Sequence, residues 1–336
     1  MSTSFAPLVL GTLAVLSAPA AATGGENWIA DFDQAVEVAR EQGKDLFVDF
    51  TGSDWCGWCK RLDAEVFSHA EFLDPIQKDF VLVALDFPRS DEVKAMVPDP
   101  ARNEELSEKY GIQGFPTILL MNADGEVYAQ TGYREGGPEK YVEHLNEIRE
   151  SGREALVSTK QLVAEFDSAE GEAKVAALGK VLDLLGKLGG DSPFAAQLAT
   201  PARWAFEADP DNAKGLKLRA VKALMAAGQM DESVMAAARE LDPDNAEGLL
   251  EQVVDAQFMT VNDDESARAA LAALEALAPK GFQDKQIGYR LHFTAARWCS
   301  GPLADPEGVQ RHGKAAQAIG TDDEQMAEFL EQLLAG

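Results

Sequence analysis

Two cysteines separated by two residues are the part of this sequence best suited to chemistry. Cys56 and Cys59 enclose Gly-Trp, and at this spacing two thiols can form a disulfide with each other and reopen it. If Cys56 caps a helix, the free backbone N–H groups and the helix dipole favour its thiolate, so its pKa should fall below about 8.5. Cys59, one turn further in, should be better shielded. The spacing therefore predicts an attacking Cys56 and a resolving Cys59.

Two other kinds of site use the same spacing. A Cys-x-x-Cys pair can supply half of a zinc site, or it can be a purely structural disulfide. The sequence has no second pair of this kind, and closing so short a ring removes little unfolded-state entropy. Four histidines are scattered along the chain: His69, His144, His292 and His312. We predict no metal and no cofactor, and we expect the third cysteine, Cys299, to be a buried core residue.

Around the cysteine pair, segments with the hydrophobic spacing of a helix alternate with segments that have the pattern of a strand. Residues 46–50 and 80–85 combine β-branched and aromatic types, which predicts two buried strands. Before the first of these strands, apolar residues at 32, 35, 36 and 39 predict a helix that ends at Gly43. Residues 117–121 and 126–131 flank a hairpin turn, and a helix from Pro138 to about Arg149 closes the region. This pattern is typical of an α/β domain, which we place at 26–150.

The remaining sequence, 151–336, has the spacing of helices and no strand signal. The run Asp-Pro-Asp-Asn-Ala at 209–213 recurs at 242–246, an offset of 33 residues from 209 to 242. Between the copies, 216–227 and 232–241 predict two amphipathic helices, and a third, worn copy would end at 277–279. A period of this length is typical of stacked helical hairpins. We therefore expect an all-helical domain.

Charge and the first residues bear on partners and location. The formal net charge is −27, which repels phosphate backbones and anionic lipids, so we exclude nucleic acid as a partner. The first 25 residues carry no charged side chain, and an apolar run at 5–16 precedes small residues at 17–22. This outline predicts a signal peptide at 1–22, cleaved near Ala20 or Ala22. No later stretch is apolar over enough residues to span a bilayer. The expected cleaved product is therefore exported and periplasmic or otherwise extracytoplasmic.

Three separated segments, 48–50, 55–60 and 110–117, resemble successive signatures of the thioredoxin superfamily, in particular its exported bacterial members. The resemblance covers about 28–150 and implies a central mixed sheet flanked by helices. The helical part is similar to tetratricopeptide repeats over about 211–243. The dipeptide between the cysteines is Gly-Trp rather than the Gly-Pro of thioredoxin, so the redox potential does not carry over.

The resemblance also implies roles for residues outside the cysteine pair. The Phe115–Pro116 peptide bond would be cis and would place backbone polar groups beside the sulfurs, although an ordinary trans turn proline is the alternative. Asp49 resembles the buried acid that moves protons for the second cysteine, but it lies one residue further from the first cysteine, and a solvated strand end is the alternative. Trp55 and Trp58 would offer apolar surface to an unfolded substrate, and Phe115 would add to it.

These observations predict an exported thiol:disulfide oxidoreductase that acts on protein thiols and disulfides. The Gly-Trp dipeptide has no cationic or imidazole group to stabilise a reduced thiolate strongly, which favours a reductase or isomerase over a potent oxidant. Such a protein needs a redox partner that the sequence does not identify. The alternative is a scaffold protein whose helical repeats recruit a protein or peptide ligand and whose thioredoxin-like domain has little activity.

Overall fold

A computed structural model describes residues 27–190 and 192–335. They form two compact units, the first ending at Ala155 and the second beginning at Leu156. The predicted signal peptide at 1–22 lies outside the described residues. Within the described ranges, no helix is both long and apolar enough to cross a membrane.

The first unit is a mixed five-stranded sheet with helices packed against it. Its elements in chain order are β1 (Trp28–Ile29), α1 (Phe32–Gln42), β2 (Asp45–Thr51), α2 (Gly57–Leu62), a π-helical turn (Asp63–Phe67), α3 (Ala70–Asp79), β3 (Phe80–Asp86), α4 (Asp91–Lys94), α5 (Pro100–Lys109), β4 (Thr117–Met121), β5 (Val127–Thr131) and α6 (Gly137–Ser168), whose residues from Leu156 onward belong to the second unit. The strand order is β1-β3-β2-β4-β5. Strand β2 is parallel to β3 and antiparallel to β4. The predicted α/β class is confirmed.

Strand β2 lies at the centre of the sheet and is buried along its whole length. Its side chains alternate between the two faces, as the period of a strand requires. Val48 and Phe50 pack with α1 in one core cluster. Phe47 points to the opposite face, where its ring meets those of Trp28 and Phe67. Because both faces of the strand are covered, residues 46–50 are apolar except for Asp49.

The helix predicted to end at about Arg149 continues to Ser168, so that part of the prediction is wrong. The physical reason lies at Gly152, which marks no boundary but sits inside α6. A Cβ atom added at Gly152 would collide with the backbone carbonyl of Tyr128 in β5. The glycine therefore serves close packing of the helix against the sheet, a role that spacing along the sequence does not reveal.

Replacing Gly152 with alanine should destabilise the first unit in spite of alanine's higher helix propensity. The added methyl group must displace either the helix or β5, and overpacking of this kind costs about 1–3 kcal/mol. Urea unfolding followed by circular dichroism would measure the loss. Ser151→Ala, on the exposed side of the same helical turn, is the matched control and should leave the unfolding midpoint nearly unchanged. An equally unchanged midpoint for Gly152→Ala would contradict the packing argument.

The second unit contains only helices among its described residues, as predicted. They are α7 (Gly171–Leu185), α8 (Ala195–Ala208), α9 (Leu216–Ala226), α10 (Glu232–Leu241), α11 (Leu249–Met259), α12 (Asp264–Leu277), a 3-10 turn (Ala278–Lys280), α13 (Lys285–Ser300), α14 (Pro306–Ile319) and α15 (Glu324–Ala335). The two helices predicted between the repeated motifs correspond to α9 and α10, the first ending one residue earlier than expected.

The repeated motif makes the same local structure twice. Asp209 accepts a hydrogen bond from the N–H of Leu216 at 2.8 Å, and Asp242 accepts one from Leu249 at 2.9 Å. Each carboxylate thereby satisfies a free donor at the start of α9 or α11. In both copies the asparagine has a positive φ, a conformation that asparagine tolerates better than most residues. The sequence repeat is thus a repeated helix-capping structure, while its assignment as a tetratricopeptide repeat stays a prediction.

Candidate active site

Cys56 and Cys59 form a disulfide at the start of α2, with Cα atoms 5.3 Å apart. Cys56 is the N-cap residue, as predicted, and its Sγ accepts the backbone N–H of Cys59 at 3.2 Å. The sulfur therefore lies where the helix dipole and a free donor both stabilise negative charge. The expectation that Cys59 is better shielded is wrong, since each cysteine is 5% exposed.

The segment before the pair is fixed by Trp55. Its indole Nε1–H donates to the carbonyl of Phe87 at 2.8 Å, and its ring meets that of Phe115 edge-on at 5.7 Å. Gly52 allows this close fit, because a Cβ atom there would lie 2.6 Å from the Trp55 ring. The Arg89 guanidinium lies over the same indole at 3.9 Å. Trp55 and Phe115, predicted to contact substrate, are thus brought together beside the disulfide.

Asp54 holds the loop after β3 against this segment, a role that the sequence did not suggest. Its carboxylate accepts the backbone N–H groups of Ser90 at 2.7 Å and of Arg89 at 3.0 Å. The hydrogen bond from Ser90, followed by that from Arg89, holds the pKa of Asp54 below its usual value. An Asp that accepts backbone N–H groups can be recognised in a sequence only when those groups are a few residues away. Here the Asp54 carboxylate and the N–H of Arg89 are 35 residues apart.

Trp58, which stands between the two cysteines in the sequence, is 54% exposed. Its ring lies 5.0 Å from that of Tyr133, in the loop between β5 and α6. The guanidinium of Arg61 stands over both rings. The predicted exposed tryptophan is therefore present, but the sequence did not identify Tyr133 as its neighbour.

Asp49 is buried, 6% exposed, so a solvated strand end is wrong for it. Its Oδ1 has no hydrogen-bond partner, and burial raises its pKa to about 8, with smaller contributions from the negative charges of Asp63 and Asp86. Asp49 and Cys59 line the same cavity of about 60 Å³, which Asp63 also lines. Burial raises the pKa of Asp63 as well. A carboxyl group that titrates near neutrality thus shares a polar cavity with the second cysteine.

Pro116 lies immediately before β4, whose first residue, Thr117, pairs with Phe50 at the end of β2. The cysteine segment leaves the sheet at this same end of β2. The Phe115–Pro116 peptide bond is cis, as the resemblance implied, and a trans turn proline is wrong. The topology therefore brings Pro116 to the edge of the sheet from which the disulfide projects.

The histidines lie outside this site. His69 is exposed, as its position between Ser68 and a helix suggested, and His144 contacts Thr131. Although the four histidines are scattered along the sequence, His292 and His312 meet in the helical unit with their Nδ1 atoms 3.1 Å apart. Over residues 27–190 and 192–335, no group of three or more potential ligands could hold a metal ion. Cys299 is 1% exposed, as predicted for a core residue.

Comparison with known proteins agrees with this geometry. A family model described as a thioredoxin-like domain matches residues 32–149. Disulfide bond reductase DsbH of Chlamydia pneumoniae is 32% identical over 113 residues, which are 33% of this chain and 66% of that protein. Thioredoxin-related protein DsbJ of Chlamydia pneumoniae is 30% identical over 106 residues, 30% of this chain and 29% of that protein.

A solved structure described as DsbH oxidoreductase has 28% identity and covers 35% of this chain and 81% of its own, with a TM-score of 0.31. The chain spans less than two thirds of the length of DsbH and of DsbJ. The residues that the family model matches carry the sheet and the disulfide. The first unit of this chain is therefore a thioredoxin-like domain.

Proposed function

We propose that this protein is a thiol:disulfide oxidoreductase that exchanges disulfides with protein substrates through Cys56 and Cys59. The observation that carries the proposal is the disulfide at the N-terminus of α2, with a buried carboxyl group of raised pKa on the same cavity. The names of the relatives, a disulfide bond reductase and a thioredoxin-related protein, support it. A purely structural disulfide would need neither a position at a helix N-terminus nor a buried carboxyl group on the same cavity.

The proposed reaction begins with the reduced protein. The Cys56 thiolate attacks one sulfur of a substrate disulfide, forms a mixed disulfide and releases the other substrate sulfur as a thiolate. Cys59 then loses its proton and attacks the Sγ of Cys56, which releases the second substrate thiolate and closes the disulfide seen here. Two electrons pass from the protein dithiol to the substrate. A dithiol donor returns the protein to its reduced form.

Asp49 is the proposed acceptor of the Cys59 proton. It lines the same cavity as Cys59, and its raised pKa of about 8 lies close to that of a free thiol. Proton transfer between groups of similar pKa needs little driving force. The cavity has the volume and the polar lining to admit water between the two groups.

We propose the direction of exchange as reduction or isomerisation. Neither residue between the cysteines carries a charge that would hold Cys56 as an unusually stable thiolate. Two cations that follow the pair in sequence have partners of their own: Lys60 donates its Nζ to the backbone carbonyl of Asp54 at 2.7 Å, and Arg61 is paired with Glu65 at 2.7 Å. Such a protein depends on an external electron donor, which we propose to be a second protein dithiol.

Location and the helical unit complete the proposal. The first 22 residues have the composition of a signal peptide, which supports an extracytoplasmic, periplasmic protein. The identical caps of α9 and α11 support stacked helical hairpins of the tetratricopeptide type. We propose that this unit binds a protein or peptide ligand and thereby selects clients for the dithiol. A scaffold without redox activity would share this helical unit but would have no use for Asp49.

Replacing Cys59 with serine should trap the substrate. The variant can form the mixed disulfide through Cys56 but cannot resolve it, so a client should remain covalently bound until a reductant is added. Non-reducing electrophoresis after expression in the native host would show the adduct, and Cys56→Ser/Cys59→Ser is the matched control that should show none. If both variants give the same bands, the scaffold function is favoured.

A further inference from the structure

A closed set of contacts surrounds the exposed Trp58 side chain. Glu65, in the π-helical turn after α2, accepts the Nε–H of Arg61 at 2.7 Å and the hydroxyl of Tyr133 at 2.6 Å. The two groups held by this one carboxylate both flank Trp58. The Tyr133 ring lies 5.0 Å from the Trp58 ring, and the Arg61 guanidinium lies 5.5 Å from it.

The arrangement joins two segments that are 68 residues apart in sequence. Arg61 and Glu65 belong to the helical stretch that follows the cysteines, whereas Tyr133 belongs to the loop after β5. The hydrogen bonds from Tyr133 and then Arg61 hold the pKa of Glu65 below its usual value, so the acceptor stays charged. The Arg61 guanidinium lies 5.0 Å from the Tyr133 ring as well, which closes the set.

An exposed tryptophan without neighbours samples several rotamers, and ordering it on binding costs free energy. Trp58 is more than half exposed, yet it has an aromatic ring on one side and a guanidinium over its face. A side chain fixed before the substrate arrives presents a preformed apolar wall. The lower ordering cost raises affinity only for substrates large enough to contact Trp58.

We propose that Glu65, with Arg61 and Tyr133, is a positioning residue that fixes the Trp58 indole as one wall of the substrate surface. The wall suits an extended protein segment with an aromatic or aliphatic side chain near its disulfide. Glu65, Arg61 and Tyr133 are not among the residues that line the Asp49 cavity, so we expect them to govern affinity for protein disulfides and not the reactivity of the dithiol. This inference rests on the proposed function.

The test compares a large and a small disulfide in the full chain, with dithiothreitol as electron donor for the large one and the pre-reduced protein, freed of dithiothreitol, as the sole reductant of the small one. Insulin is the protein probe and 5,5′-dithiobis(2-nitrobenzoic acid) is the small one. Glu65→Ala should raise the KM for insulin about 3- to 10-fold, leave kcat within about 2-fold, and leave the rate with the small disulfide unchanged. Glu65→Gln can still accept the Tyr133 hydroxyl, so its KM for insulin should lie between those of the wild type and Glu65→Ala. Glu41→Gln, on the exposed side of α1, is the matched control.

A second readout does not depend on turnover. Acrylamide quenching attributable to Trp58, obtained by subtracting the signal of Trp58→Phe, should increase in Glu65→Ala and in Tyr133→Ala. The double variant Glu65→Ala/Tyr133→Phe should raise KM by less than the product of the single effects, because both changes break one network.

The inference is overturned if KM for insulin stays at the wild-type value, if both disulfides lose rate together, or if the quenching of Trp58 is unchanged. Failure of the wild-type protein to reduce insulin would instead contradict the proposed function. In that case the quenching experiment still decides the positioning, since an unchanged signal overturns it and an increase supports it.

Discussion

Cys56→Ser is expected to lower turnover of a protein disulfide to the uncatalysed background, a loss of about 1,000-fold or more. A serine hydroxyl at the N-cap keeps the hydrogen bond to the backbone of residue 59 but is not ionised at neutral pH, so it cannot attack a disulfide. Insulin reduction with dithiothreitol as donor measures the loss. Serine is also a preferred N-cap residue, so α2 should remain folded.

Cys299→Ala is the matched control for that experiment. Cys299 is the remaining cysteine of the chain, and it is buried in the helical unit, where burial raises the pKa of its thiol. Its removal should leave turnover unchanged. If Cys299→Ala abolished activity, or if Cys56→Ser kept it, the assignment of the reactive pair would be wrong.

Asp49→Asn is expected to have two opposite effects, slower exchange and greater stability. For exchange, the Cys59 proton loses its acceptor, and resolution of the mixed disulfide should slow about 10- to 100-fold. The wild-type rate should fall as pH drops below about 8, because Asp49 is then protonated and cannot accept. The Asn variant should lack this dependence. Stopped-flow measurement of the resolution step between pH 6 and 9 would show both.

The stability effect follows from the direction of the pKa shift. In the oxidised protein the Asp49 carboxyl keeps its proton up to about pH 8, whereas in the unfolded chain it ionises near 3.8. Rising pH therefore favours the unfolded state throughout that window, by an amount on the order of 4 kcal/mol at pH 7. Asn cannot ionise, so Asp49→Asn should stabilise the protein at pH 7 and change little near pH 3.5.

Denaturant unfolding of the oxidised protein at several pH values tests this expectation. Asp74→Asn, on an exposed position of α3, is the matched control and should show no comparable pH-dependent gain. A variant Asp49→Asn that is equally stable or less stable at pH 7 would contradict the buried, protonated state of Asp49.

Much of the fold follows from the spacing of residues along the chain. The buried runs at 46–50 and 80–85 fall within β2 and β3, because strands covered on both faces need continuous apolar sequence. The caps of α9 and α11 follow from the repeated acid and asparagine, which act on neighbours only a few residues away. Local chemistry of this kind is visible in sequence.

The missed features depend on contacts between distant segments. The helix predicted to end at about Arg149 runs through Gly152, which allows the close approach of α6 to Tyr128. Glu65 and Tyr133 meet across the sheet edge, and His292 meets His312 between two helices. Similarly, the raised pKa of Asp49 comes first from its burial and then from the charges of Asp63 and Asp86, which its position in a strand does not reveal.

The most direct test of the central claim is a redox titration of the folded full chain. The protein is equilibrated in dithiothreitol buffers of graded potential, its free thiols are alkylated, and the mass increase is measured. We predict a reversible two-electron transition in which Cys56 and Cys59 gain label together while Cys299 does not. A pair that resists reduction until the protein unfolds would contradict the account.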